Sequence, residues 1–175
     1  IMIKQMGLSF LGNNKTVLFL RGFFGVVALS LYFFTLQKLP FASAVTIMQL
    51  SPIFTTILAI FILKEVVKAP QWLFFLVSFV GVALIKGFNP DIPLKYFMLA
   101  LLSTFFSALA YNMVRKLKDS DHPIVVVFYF PLVALPFAGI LSYFQWVQPS
   151  WTEFLILLGI GIATQIAQVN MTKAM

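Results

Sequence analysis

The sequence predicts an all-α polytopic membrane protein with six spanning helices, and three observations predict it. Hydrophobic residues make up 61% of the chain and charged residues only 10%, against about 45–50% and about 25% in a soluble domain. Mean hydropathy is +1.00, so there is too little polar side chain to coat a water-facing surface. Apolar runs of about 20 residues, the length needed to cross roughly 30 Å of hydrocarbon, recur along the chain. They exceed the apolar core of a signal peptide, which is about 7–15 residues.

The spans read as 17–37, 41–63, 70–88, 94–114, 124–146 and 152–174. The third opens at Pro70 and the fifth just after Pro123, positions where a first helical turn tolerates a missing N–H. Asn89–Pro90–Asp91 is a turn signal between the third and fourth spans. The fifth carries Pro131 and Pro136, each of which removes a backbone hydrogen bond and invites a kink. Before the sixth, Ser150–Trp151–Thr152–Glu153 has capping-box spacing. The serine hydroxyl would accept from the Glu153 N–H, and the carboxylate would reach back. The first residue is Ile1 and the last, Met175, closes an apolar run, so further sequence is expected at both ends.

Net charge is +7. In a soluble protein that excess would point to nucleic acid, but apolar runs leave no basic face, so no nucleic-acid partner is expected. The cations instead sort by side. Lys4, Lys15, Arg21, Lys64, Lys68, Arg115, Lys116, Lys118 and Lys173 fall on one side, and Lys38, Lys86 and Lys95 on the other. The positive-inside rule places the richer side in the cytoplasm. Trp72, Trp146, Trp151 and Tyr96 fall near span ends, where amphipathic rings favour the interface. There is no cysteine and one histidine, His122. Disulfides, thiolate metal sites and histidine-built zinc sites are therefore excluded, and no cofactor is expected.

Polar groups in hydrocarbon need partners, so polar stripes inside spans are informative. Positions i, i+3, i+4 and i+7 share a helix face. On that spacing Arg21, Gly25, Ala28, Tyr32 and Thr35 share one face. Thr46, Gln49 and Thr56 share another, with Pro52 beside it. Ser103, Thr104, Ser107 and Tyr111 group together, with Asn112 on the opposite side. Gly161, Gln165, Gln168 and Thr172 form the last stripe. Ser103, Ser107, Thr35 and Thr56 read as helix–helix glue of the small-residue kind. For Gln49, Gln165, Gln168 and Tyr32 packing and ligand contact both stay open, because an amide carries two donors and an acceptor that are hard to satisfy without water. Arg21 reads as a cation snorkelling to the cytoplasmic side, and Glu65 as part of an ion network with Lys64 and Lys68. His122, in the loop 119–122, reads as solvated. Glu65, Asp91, Asp119, Asp121 and Glu153 all lie in loops or at helix ends. No carboxylate is thus available mid-span for proton coupling. No nucleophile elbow, metalloprotease helix or phosphate loop occurs.

Arg21–Gly22–x–x–Gly25 followed by Leu31–Tyr32–Phe33–Phe34–Thr35–Leu36–Gln37–Lys38–Leu39–Pro40 resembles the third helix of the EamA family of the drug/metabolite transporter superfamily. Ala42–Ser43–Ala44, Leu50–Ser51–Pro52–Ile53–Phe54 and Leu63–Lys64–Glu65 are similar to its fourth helix, with a small-residue start, a central proline and a terminal glutamate. Gly81–Val82 resembles its fifth. The family often has glycine before that glutamate, where this chain has Lys64. The resemblance implies helices three to eight of a ten-helix inverted-repeat transporter. It divides the chain into 1–88, the end of a first repeat, and 89–175, the start of a second. Setting Gly22 against Gly159 also sets Thr35 against Thr172, and the two helices run in opposite directions.

The expected function is a secondary transporter of small metabolites in the bacterial cytoplasmic membrane, working by alternating access. Tyr32, Gln49, Tyr111, Gln165 and Gln168 are the expected substrate-binding residues, and a neutral or zwitterionic ligand suits them. The partners are a small-molecule substrate and the lipid bilayer, with a homodimer left open. A membrane structural or assembly subunit is the competing reading, and an intramembrane enzyme comes last for want of acid–base residues. Orientation is directly testable because the chain has no native cysteine. A membrane-impermeant maleimide applied to cells from outside should label Lys38→Cys and leave Lys118→Cys unlabelled. The reverse pattern overturns the orientation.

Overall fold

The computed structural model describes residues 12–88, 93–144 and 146–174; the expected turn at 89–91 lies outside them. Among the described residues seven helices follow one another: α1 Lys15–Leu36, α2 Phe41–Met48, α3 Ser51–Ile62, α4 Ala69–Phe88, α5 Leu94–Leu117, α6 Pro123–Phe144 and α7 Trp151–Ala174. Among the described residues five stretches are long and apolar enough to cross a membrane: α1, α2 with α3 as one run, α5, the 123–140 part of α6, and α7. The 69–84 part of α4 is a shorter apolar helix.

The second span is where sequence and structure differ. It was expected as one helix over 41–63, and it is two. α2 ends at Met48 and is capped by Gln49 (φ −67°, ψ −7°), and α3 starts after Leu50 (φ −74°, ψ −10°). Pro52 is the cause. It has no N–H for the Met48 carbonyl four residues back, and its ring crowds that carbonyl. The chain tightens locally: Gln49 N–H is shared between the Val45 and Thr46 carbonyls (3.2 and 3.1 Å), and Leu50 N–H reaches Ile47 C=O at 3.1 Å. The break lies about 13 Å along a span of about 33 Å, near its middle.

The chain forms two compact units. One is Phe24–Asn112. Its core joins Leu39, Ala44, Ile47, Leu50, Val82, Phe97 and Ala100. Phe54 sets its ring edge-on to Phe79 and Phe105, with centroids 5.6 and 6.1 Å apart. A seam of small and hydroxylated residues joins α3 and α5: Ala100, Thr104, Ala108 and Asn112 are buried on α5, and Ser51 and Ala59 on α3. Ser103 Oγ, fully buried, donates to Ala28 C=O at 2.8 Å. Ser51 and Ser107 hydroxyls lie 3.5 Å apart. The small-residue reading of Ser103 therefore describes the packing. Asn112 departs from its expected position off the stripe: the buried face follows an every-fourth-residue ridge, which carries Asn112 into the seam.

The other unit is Ile1–Phe23 with Met113–Met175. Asp121, in the loop before α6, is buried. Its carboxylate accepts from the Asn13 N–H (2.5 Å), the Asn14 N–H (3.1 Å) and the Ser120 hydroxyl (2.9 Å). A carboxylate at a helix N-terminus satisfies orphan donors and meets the positive end of the macrodipole. Gly12 takes a left-handed φ of +61°, and a Cβ there would sit 2.6 Å from Asp121 Oδ1. Asn14 Oδ1 accepts from Val17 N–H (3.3 Å) as the N-cap. α6 remains helical through Pro131 and Pro136. The capping box before α7 forms as the sequence predicts: Ser150 N–H donates to Glu153 Oε2 at 2.8 Å, and Glu153 N–H to Ser150 Oγ at 3.4 Å.

Lys64, just past α3, has φ +58°. This left-handed residue explains the glycine that the resembling family carries there, since a Cβ costs about 1–2 kcal/mol in that conformation. Lys64→Gly should therefore be more stable than Lys64→Ala by about 1 kcal/mol, read from chemical denaturation; equal stability of the two would rule out the left-handed turn. Ser103→Leu should lower stability by about 1–3 kcal/mol through overpacking, visible as lost folded yield.

Candidate functional site

Arg21 sits in the second turn of α1 and is only 4% exposed. It does not snorkel as expected. Its Nη2 donates to Gln168 Oε1 at 2.7 Å, and its guanidinium carbon lies 4.8 Å from the Phe130 ring centroid. A charge at this depth needs hydrogen-bonding and polarisable neighbours, and an amide oxygen and an aromatic face supply both. Gly22 makes the approach of α6 close enough. A Cβ on it would lie 2.7 Å from Val133 Cγ2 and 3.3 Å from the Tyr129 carbonyl. Thr172 Oγ1 donates to the Gln168 carbonyl at 2.8 Å.

The expected glutamine pair of α7 thus separates in role. Gln168 is half-buried against Arg21, whereas Gln165 is exposed and hydrogen-bonds to nothing among the described residues. Three residues along a helix amount to about 300°, so the two amides diverge by about 60°. That is enough for one to face a neighbour while the other does not.

In the Phe24–Asn112 unit, Gln49 is exposed at the α2–α3 break. Tyr32 is half-buried with its ring 5.9 Å from that of Phe33, and its carbonyl accepts from Thr35 Oγ1 at 2.8 Å. Tyr111 is half-buried on α5. No hydrogen bond among the described residues joins any two of these three. Asn112, next to Tyr111, is 0% exposed. Its Nδ2 donates to the Thr55 and Ala108 carbonyls, both at 3.0 Å. Both partners are acceptors, which fixes the amide orientation. Oδ1 is then buried with no partner, an acceptor that a bound water or a ligand donor would satisfy. Sequence reasoning missed Asn112 and the role of Phe130. Asn112 was visible as a polar residue within a span, but Phe130 is one aromatic among many and carries no signal of its own.

No group of three or more His, Asp or Glu residues that could hold a metal occurs among the described residues. What the site residues offer is amides, phenols and one guanidinium, which recognise polar ligands through hydrogen bonds.

The EamA-like transporter family model matches residues 2–87. The chain is 30% identical to the pseudopaline exporter CntI of Pseudomonas aeruginosa, an alignment covering 99% of this chain and 62% of that protein. It is 32% identical to a riboflavin transporter of Vibrio cholerae (89% of this chain, 53% of that protein). It is 27% identical to an S-adenosylmethionine uptake transporter of Rickettsia conorii (89% and 53%). The chain therefore spans less than two thirds of the length of these relatives. No solved structure matches it. These matches, the apolar spans and the bacterial relatives identify a multi-pass inner-membrane protein, and the chain belongs to the EamA-like transporter family.

Proposed function

We propose that the protein is a secondary transporter of small polar metabolites, neutral or zwitterionic overall, working by alternating access, with residues 1–88 and 89–175 drawn from two inverted repeats. The observation that carries this reading is the break at Gln49–Leu50. Discontinuous helices near the bilayer midplane are where secondary transporters expose backbone and side-chain polar groups to their substrates. Gln49 is an exposed amide at such a break. Gln165 is a second exposed amide inside a span, and Tyr32 and Tyr111 add phenols for stacking and hydrogen bonds. Gln168 serves the site by holding Arg21. By name the relatives are a pseudopaline exporter, a riboflavin transporter and an S-adenosylmethionine uptake transporter, so riboflavin and S-adenosylmethionine are sensible first probes of a wider metabolite screen.

The test is uptake and efflux of radiolabelled metabolites in proteoliposomes holding the full-length protein. Gln49→Leu and Gln165→Leu should keep the wild-type melting temperature and slow transport about tenfold, the loss of one ligand hydrogen bond. Gln168→Leu should lower the melting temperature as well, because it removes the acceptor at Arg21. Wild-type rates in both of the first two variants would make those amides bystanders. A protein that moves nothing in the screen but co-purifies with a membrane complex would instead be an assembly subunit.

A further inference from the structure

At the end of the bundle that the cation bias assigns to the cytoplasm, α5, the loop after it, α6 and α7 enclose a cleft of about 140 Å³. Its polar rim is Lys118, Lys173, Thr172 and Asp121, and its walls include Leu117 and Pro123. Both lysines are exposed side chains, and neither makes an ion pair among the described residues. Asp121 adds the only negative charge, but its oxygens are already engaged by two backbone N–H groups and the Ser120 hydroxyl. The start of α6 at Pro123 contributes the positive end of a helix macrodipole. The cleft thus has a positive rim over apolar walls, set where spanning helices end.

We infer that this cleft binds the phosphate headgroup of an anionic phospholipid of the cytoplasmic leaflet. The shared chemistry is a phosphate oxyanion, held by two ammonium groups. Two features select a lipid over a free anion. The apolar wall matches the glycerol and upper acyl segment, and the height of the cleft along the helices is that of the headgroup layer, where basic pockets between helices take anionic heads. Thr172 Oγ1 donates to the Gln168 carbonyl, so it meets the phosphate through water or as an acceptor from a headgroup hydroxyl. The same bond ties the cleft to the residue that holds Arg21.

The purified chain is exchanged into nanodiscs containing phosphatidylcholine and phosphatidylglycerol, and retained lipid is read by native mass spectrometry. Near an anionic surface each lysine is worth on the order of fivefold, so phosphatidylglycerol should be enriched up to about twenty-five-fold, and measurably above its share of the bilayer. Lys118→Gln with Lys173→Gln should abolish the enrichment, and Lys118→Arg with Lys173→Arg should preserve it. The same net charge removed elsewhere, by Lys64→Gln with Lys68→Gln, should leave it intact. Equal loss in that control would mean a general charge effect and overturn the assignment. Displacement of the lipid by millimolar inorganic phosphate would also overturn it, in favour of a free-anion site. Folding of each variant is checked by circular dichroism, and the arginine pair tests the site even where the glutamine pair folds poorly: loss of enrichment in a folded arginine pair would refute it.

Discussion

A backbone carbonyl without a donor costs several kcal/mol in hydrocarbon, and Pro52 denies the Met48 carbonyl its helical donor in the middle of a span. Much of the Phe24–Asn112 unit can be understood as an accommodation of that fact. The chain does not continue as one helix. It tightens through Gln49 and Leu50, with shared and three-residue hydrogen bonds, and restarts at Ser51. Around the break, the neighbouring helix presents hydroxyls rather than bulk. Thr104 Oγ1 lies 3.4 Å from the Ile47 carbonyl and 3.5 Å from Met48 Sδ, while Ser103 bonds Ala28. The Thr104 hydroxyl itself donates within its own helix, to the Ala100 carbonyl at 2.9 Å, so these residues allow close approach at the break and leave the chain's own tightened turn to satisfy the backbone there.

The same rule explains why small residues dominate the seam. Hydrophobic burial cannot drive helices together in lipid, because lipid tails are as apolar as leucine. Close approach and interhelical hydrogen bonds do so instead. Ala59, Ala108, Ser103 and Thr104 are all fully buried, and Asn112 bridges to the Thr55 carbonyl. In the other unit Gly22 has the same purpose. Its missing Cβ admits Val133 and the Tyr129 carbonyl, which brings α6 and its Phe130 ring against Arg21.

Stability and function draw on these polar groups in different ways. Asp121 and Ser150–Glu153 complete helix ends and are spent on structure. Gln168 is committed to Arg21. Gln49 and Gln165 are left exposed within spans, and in a chain this apolar an uncommitted amide is a better candidate for ligand contact than a satisfied one. Sequence alone put Gln165 and Gln168 together as equals. Only their surroundings separate a side chain that supports a neighbouring cation from one still available to a ligand.

Composition and run length determined by themselves that this chain lives in a bilayer and where most of its spans lie. Local rules with short range also carried through from sequence to structure. The capping box before α7 and the prolines at the starts of α4 and α6 depend on residues a few positions apart, and nothing distant overrides them. Helical periodicity was less informative. It assigns residues to faces, but an apolar solvent makes every face acceptable, so it does not say which face meets another helix. That is why Asn112 was placed off the seam it joins and why Arg21 was read as snorkelling. Those outcomes were decided by tertiary packing: the close approach at Gly22, the ring of Phe130 and the Thr55 carbonyl opposite Asn112 supply partners that no local pattern encodes.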